Sequence, residues 1–509
     1  MIFYPNHLPP TIIDCGGRVI LNMRKKYFIL IGTAIFGIAI SYWLIVPSIY
    51  FFNAWGFIRS NIEFHYSIKR TIIDPKGSIL YFDPYSYNDL YSARSSLDSL
   101  LHHNHLIYEK VPDIVAIPEK KLWDHVYRSF HVWKHSSFDG HVSYKQFREF
   151  ILPYRAGMEP WSDYTDVISH RYSRILGTIS NKNDPVLAAK RLNGEIKNWL
   201  SFDFRSHAEL NEPDILQISQ LKHGSCNSLA QFMSQICRNF GIPVAIDECP
   251  FWAHRNSGHA WNVVLDTTGK WIPFSAADKN PYDFRVVNDS MKVPKIYRRL
   301  FSKNPMFQPP FKTLNELPSL FRVPNYKDVT GEYVSTSEVS VRPDSSLTKG
   351  KSVLYLAVFN GDQWCIVAWS RILNGQASFS SLGNDSIVYL PVIYQNGLAL
   401  PAASPFILTH EHFVPIIVDT ANRYSVDLPL YNKFYAEDWK IGFPEENWEL
   451  ELFYWDRGWI SSGKAKTNSK RILNFANVPF DALYLLRFSD RENTWQRIFQ
   501  IKNGSQIWY

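Results

Sequence analysis

Gly224-Ser225-Cys226-Asn227-Ser228-Leu229-Ala230-Gln231-Phe232-Met233-Ser234-Gln235-Ile236-Cys237-Arg238-Asn239-Phe240-Gly241-Ile242-Pro243-Val244 reads as a short loop, a helix with a cysteine on its first turn, and a clean stop. Leu229, Phe232, Met233, Ile236 and Phe240 recur at helical spacing, which predicts one apolar face. Gly241 stands where a left-handed cap is wanted, and Pro243 blocks continuation. A thiol at a helix N-terminus faces unpaired N–H groups and the positive end of the macrodipole, which predicts a lowered pKa. Taken alone, such a cysteine is more often a small buried hydrophobe than a nucleophile.

The residues that follow change that balance. Val244-Ala245-Ile246 reads as a strand, and the loop Cys249-Pro250-Phe251-Trp252-Ala253-His254-Arg255-Asn256-Ser257 leads to Gly258-His259-Ala260-Trp261-Asn262-Val263-Val264-Leu265-Asp266. A turn at Thr267-Thr268-Gly269-Lys270 and the run Trp271-Ile272-Pro273-Phe274 complete a predicted hairpin. His259 therefore enters a strand at its open end, where an imidazole can face a helix terminus. Nucleophilic catalysis needs a thiol, a base to take its proton and a third group to orient the base. His254 reads as a loop histidine, Trp252 and Trp261 as packing or cleft walls, and Cys237 as a core residue three turns after Cys226.

This order of motifs resembles the transglutaminase-like superfamily, a papain-like fold, and is most similar to its bacterial exported members. The resemblance covers residues 210–285; Ile151-Leu152-Pro153-Tyr154-Arg155 and Gly157-Met158-Glu159-Pro160 add to it more weakly. It implies Cys226 as nucleophile and His259 as general base. The family places an aspartate four positions after the tryptophan of the second strand, and here that position is Ser275. Asp278 is the favoured orienting residue and Ser275 the alternative, since a hydroxyl orients an imidazole without neutralising its cation. The oxyanion hole would use the Cys226 N–H, with Gln217 or Gln220 as a second donor.

The chain has 509 residues, 46% hydrophobic and 20% charged, so it is too long for one core. A formal charge of +7 without a compact basic block beyond Arg24-Lys25-Lys26 argues against a nucleic-acid partner. Cys15, Cys226, Cys237, Cys249 and Cys365 form neither a disulfide framework nor a zinc pattern, and no cofactor or metal is expected. His131 and His135 have i, i+4 spacing but no acidic residue between them. Residues 27–46 carry no charge and are long enough to span a bilayer, with Arg18, Arg24, Lys25 and Lys26 before them. An uncleaved anchor that keeps the N-terminus cytoplasmic and exports the body is expected.

The expected organisation is a 1–22 leader, a 23–52 transmembrane signal-anchor, a mainly helical region over 53–200, a transglutaminase-like core over 201–325, and β-sandwiches at 326–422 and 423–509. The fold class is α+β. Ser143 is the expected N-cap of a helix ending near Pro153, and Asp184-Pro185 starts another. Residues 286–330 hold six prolines and read as an irregular linker. The C-terminal part repeats weakly at an offset of 95: Trp364 maps on Trp459, Tyr389 on Tyr484 and Leu390 on Leu485. Two Ig-like modules account for this.

The function expected is acyl transfer through a Cys226 thioester on protein, peptide or envelope amides at the periplasmic side or cell surface, with hydrolysis favoured over cross-linking. The rival is an inactive scaffold that binds envelope polymer through its β-sandwiches.

Overall fold

A computed structural model describes residues 48–509, apart from 180, 182, 289–290, 311–316, 432, 434–444 and 490–495. The apolar stretch 27–46 and the leader lie outside the described residues. Among those described, no helix is long and apolar enough to cross a membrane. The chain divides at Gly56; in its first unit residues 48–56 are helical, and Phe57–Tyr509 is the unit described below.

Helices dominate residues 57–200, with the N-caps where polar side chains stand before apolar runs. Ser143 accepts the Gln146 N–H in a capping box before Tyr144–Phe150, and Asp184 accepts the N–H groups of Val186 and Leu187 before Pro185–Ile196. A three-stranded antiparallel sheet interrupts the helices: Ile79–Leu80, Tyr66–Ile73, His105–Pro112. The strand His105–Pro112 leaves no period-2 signal because most of its residues face solvent.

The centre of the molecule is the helix Cys226–Asn239. Gly241 at φ +74° closes it, with the Gly241 N–H on the Arg238 carbonyl and the Ile242 N–H on the Cys237 carbonyl. The expected single apolar face is too modest: every residue from Ser228 to Arg238 is buried. The polar side is covered by the segment 151–160. There Gln235 donates to Glu159 (2.7 Å) and the Arg238 guanidinium to the Arg155 carbonyl (2.6 Å). Gly157 lies so close that a Cβ would come within 2.1 Å of the Gln231 amide nitrogen.

A five-stranded antiparallel sheet packs on this helix in the order Tyr326–Asp328, Tyr297–Arg299, Val244–Cys249, His259–Leu265, Trp271–Phe274. The 286–330 stretch is thus more than a linker, since it supplies two strands, Tyr297–Arg299 and Tyr326–Asp328, to this sheet. Ile246 and Ala260 meet Ala230 of the helix, and Asn262 donates to the Ala230 carbonyl (2.8 Å) and Ser234 hydroxyl (2.9 Å). The opposite face, with Ala245, Cys249, Trp261 and Val263, packs on Val293, Ile296 and Val329.

Two layered β units follow. In the first, Val353–Asn360 lies between Gln363–Arg371 and Ile387–Gln395; in the second, Glu449–Trp455 lies between Trp459–Lys466 and Tyr484–Phe488. These strands sit at the 95-residue offset. Leu354, Leu356 and Val358 face a smaller two-stranded sheet, whereas Val353, Tyr355, Ala357 and Phe359 face a core shared with Leu483, Leu485 and Tyr297. Burial on both faces explains the unbroken apolar run.

Burial holds several histidines neutral: His65 is pushed down to about 3, and His125, His254 and His259 to about 4. In the unfolded chain these rings titrate near the ordinary 6.5, so between there and their folded values the unfolded state binds more protons. Stability should fall as pH drops through this window. A thermal midpoint lower at about pH 5 than at about pH 7.5 is expected; an unchanged or higher midpoint would contradict it.

Candidate active site

The parallel pairing of His223–Gly224 with Ser201–Phe202 fixes the approach to the cysteine helix. The Ser225 hydroxyl accepts the Ser228 N–H (3.2 Å) as N-cap. This leaves Cys226 at the first helical position, partly exposed and a free thiol.

His259 heads the adjoining strand, and the preceding residue must be glycine: a Cβ on Gly258 would stand 2.2 Å from the Pro250 carbonyl oxygen. The His259 ring lies 5.7 Å from the Trp261 ring and 6.3 Å from that of Phe284, centre to centre. The backbone N–H groups of Ala260 and Asn227 act on the Cys226 thiol in favour of its thiolate, and Ala260, next to His259, packs on Ala230 of the cysteine helix.

The electrostatics differ from the expected lowered thiol pKa. Burial pushes the Cys226 thiol up, outweighing the two backbone N–H groups and the Arg299 charge, which favour the thiolate; Glu248 opposes it. Burial, aided by the Arg255 charge, holds His259 down to about 4. At rest the pair is therefore a neutral thiol and a neutral imidazole. The imidazole is free to accept a proton.

The two candidates for the third member both lie just after Trp271–Phe274, in the turn Ser275–Lys279. Buried Asn193 holds that turn: its amide donates to the carbonyls of Ser275 and Lys279 (both 3.2 Å), and its oxygen accepts the Ala277 N–H (2.8 Å). Asp278 is exposed there, and its described hydrogen bond is from its backbone N–H to the Ser275 carbonyl (3.2 Å). Gln217 is engaged as a cap, its side-chain oxygen accepting the Asp214 N–H (2.8 Å), and Gln220 is exposed. His254 accepts the Lys292 N–H (3.0 Å) as a loop histidine, and Trp252, Trp261, Cys237 and Cys249 are fully buried.

Other residues of the site carry weak sequence signals. Asn227 donates to Glu212 (3.1 Å) and accepts from Arg299 (2.7 Å), which is itself paired with Glu248. Arg299 lies in the proline-rich stretch read as irregular, where no period marks it. A cavity of about 120 Å³ adjoins this group, lined by Asn227, Gln231, Arg155, Arg238, Arg299 and Glu212 among others. Among the described residues, no group of three His, Cys, Asp or Glu side chains is placed to hold a metal ion.

The family described as the transglutaminase-like superfamily matches residues 174–276. Among solved structures, a candidate cysteine protease of Cytophaga hutchinsonii is 22% identical, with a TM-score of 0.19. The match covers 24% of this chain, and the chain spans 41% of that protein. Red sea bream transglutaminase is 10% identical with a TM-score of 0.20, over 84% of this chain and 83% of its own. No curated protein sequence matches. Residues 174–276, which carry Cys226 and His259, form a domain of the transglutaminase-like superfamily.

Proposed function

We propose that the protein is a cysteine acyl-transfer enzyme. The observation that carries this reading is that Cys226 opens a helix whose Ala230 packs on Ala260, the residue after His259 at the head of its strand. The sulfur would attack an amide carbonyl while the thiol proton passes to His259. The helix N-terminus, with the Cys226 N–H, would stabilise the oxyanion. Protonation of the leaving amine by His259 would give the thioester, which water or a second amine resolves. Hydrolysis is favoured over cross-linking, and the substrate class is a protein, peptide or envelope amide. The charged and amide side chains in the mixed lining of the neighbouring cavity suit a hydrogen-bonding substrate group.

The uncharged stretch 27–46 supports export with an N-terminal membrane anchor, body outside the cytoplasm. For the C-terminal units an Ig-like reading is supported by Tyr389 and Tyr484, whose hydroxyls donate back to the carbonyls of Gly383 (2.8 Å) and Pro479, in the manner of a tyrosine corner. The second reading, an inactive scaffold, is favoured by Ser275 in the family's aspartate position and by the exposure of Asp278.

Brief treatment of the full chain with iodoacetamide near neutral pH, followed by peptide mapping, tests the enzyme reading. Cys226 should be modified well ahead of Cys365, which is pushed up to about 12 by burial, and of fully buried Cys237. Equal, slow modification of Cys226 and Cys365 would favour the scaffold.

A further inference from the structure

The loop that delivers His259 is tied to the first C-terminal β unit by one side chain. Asn360 ends the strand Val353–Asn360 at a tight hairpin, pairing with Gln363 across Gly361-Asp362, and is 5% exposed. Its amide nitrogen donates to the carbonyls of Trp252 (2.7 Å), Arg255 (2.8 Å) and Ser257 (3.0 Å), two N–H bonds shared among three acceptors. Its oxygen accepts the Ser257 N–H (3.1 Å). The loop is also held from the other side, where the Ala253 N–H donates to the Lys292 carbonyl (3.0 Å). Gly361, at φ +74°, brings the hairpin backbone against the Asn256 side chain.

Within this clamped loop Arg255 lies over the Trp252 ring at 5.3 Å and is exposed. Its charge helps hold the His259 imidazole down, and it also reaches Cys249 and, after it, Cys226. The other charges acting on the thiol are Arg299 and Glu248 of the central sheet, already paired with each other.

We propose that Asn360 is a positioning residue for the active site: by fixing the loop 252–257, which carries Arg255 and runs directly into His259, it makes the first β unit part of the catalytic unit and not an independent binding module. This rests on the acyl-transfer reading above. Four loop hydrogen bonds converge on one carboxamide, and a carboxylate of the same shape would set one oxygen against three carbonyls. A positive charge held near the sulfur favours the thiolate and the anion formed on acyl attack.

The test is the rate of Cys226 alkylation by iodoacetamide across a pH series, in the full chain and in Asn360→Ala, Asn360→Asp, Arg255→Ala and Arg255→Lys. Asn360→Ala, Asn360→Asp and Arg255→Ala should each move the alkylation midpoint to higher pH and lower the neutral-pH rate about threefold to tenfold. Arg255→Lys should restore most of the rate. The double variant Asn360→Ala/Arg255→Ala should be no slower than Arg255→Ala alone, because both act through one charge. Wild-type kinetics in Asn360→Ala, or additive losses in the double variant, would overturn the proposal. Should Asn360→Ala not fold, by circular dichroism, Asn360→Ser is read in its place. Arg255→Ala, at an exposed position, must show the shift in any case. If wild-type Cys226 is not selectively alkylated, it is the acyl-transfer reading that fails; selective labelling unaffected by Asn360 sinks only this inference.

Discussion

Replacing His259 by alanine should lower Cys226-dependent acyl transfer by about 10²–10⁴-fold, the range a positioned general base contributes. A p-nitrophenyl ester serves as acyl donor, with the p-nitrophenol burst as readout. Cys226→Ala should show no burst. The size of the His259 effect follows from the resting state of the pair. Burial pushes the thiol up and holds the imidazole down to about 4, so the proton rests on sulfur. A preformed thiolate–imidazolium pair would react at a rate nearly flat across the neutral range. Here the alkylation rate should climb with pH toward the raised thiol value, and proton transfer to His259 must accompany acyl attack. A rate plateau from about pH 5 to about pH 8 would instead indicate the ion pair. An undiminished burst in His259→Ala would remove His259 from the mechanism.

The legible parts of the fold were those whose signal is local. Ser143, Asp184 and Gly241 mark helix ends because their side chains or φ values act within a few residues. The Cys226 helix and the His259 hairpin stand out through spacing and turn chemistry. What the sequence leaves hidden depends on distant partners. The apolar side of the Cys226 helix is visible, yet the burial of Gln235 and Arg238 requires Glu159 and the Arg155 carbonyl, some eighty residues earlier. Helix-terminus logic alone lowers the thiol pKa, whereas the packed site raises it, because desolvation depends on what surrounds the sulfur. Tyr297–Arg299 is three residues long, too short for any periodicity, and is recruited by pairing with Asp247 and Glu248. The turn that carries Ser275 and Asp278 follows the same rule: besides its own backbone bonds it is held by Asn193, some eighty residues earlier.

That pairing also identifies the most sensitive point for stability. Asp247→Ala should cost about 3–5 kcal/mol, the range for removing one partner of a buried ion pair. Asp247 is fully buried and Arg298 is 1% exposed. The guanidinium donates to both carboxylate oxygens at 2.8 Å, the Tyr333 hydroxyl donates to the same carboxylate (2.5 Å), and the Trp261 indole N–H donates to that hydroxyl (3.0 Å). Without the carboxylate, Arg298 keeps Glu332, which is partly exposed, and the face of Trp271 at 4.5 Å. Neither replaces a bidentate partner inside the sheet. Asp247 lies opposite Trp261, two residues along the strand that begins at His259, so the loss should loosen the catalytic strand as well. Hydrogen exchange in Val244–Cys249 and His259–Leu265 should accelerate, together with a lower urea midpoint. Asp124→Ala, which removes only the exposed pair with Lys120, is the control and should cost about 0.5 kcal/mol or less. The double variant Asp247→Leu/Arg298→Met should lie closer to wild type than Asp247→Ala, since most of the cost is the stranded charge. A loss in Asp247→Ala no greater than in Asp124→Ala would show that the network adds nothing beyond an ordinary surface pair.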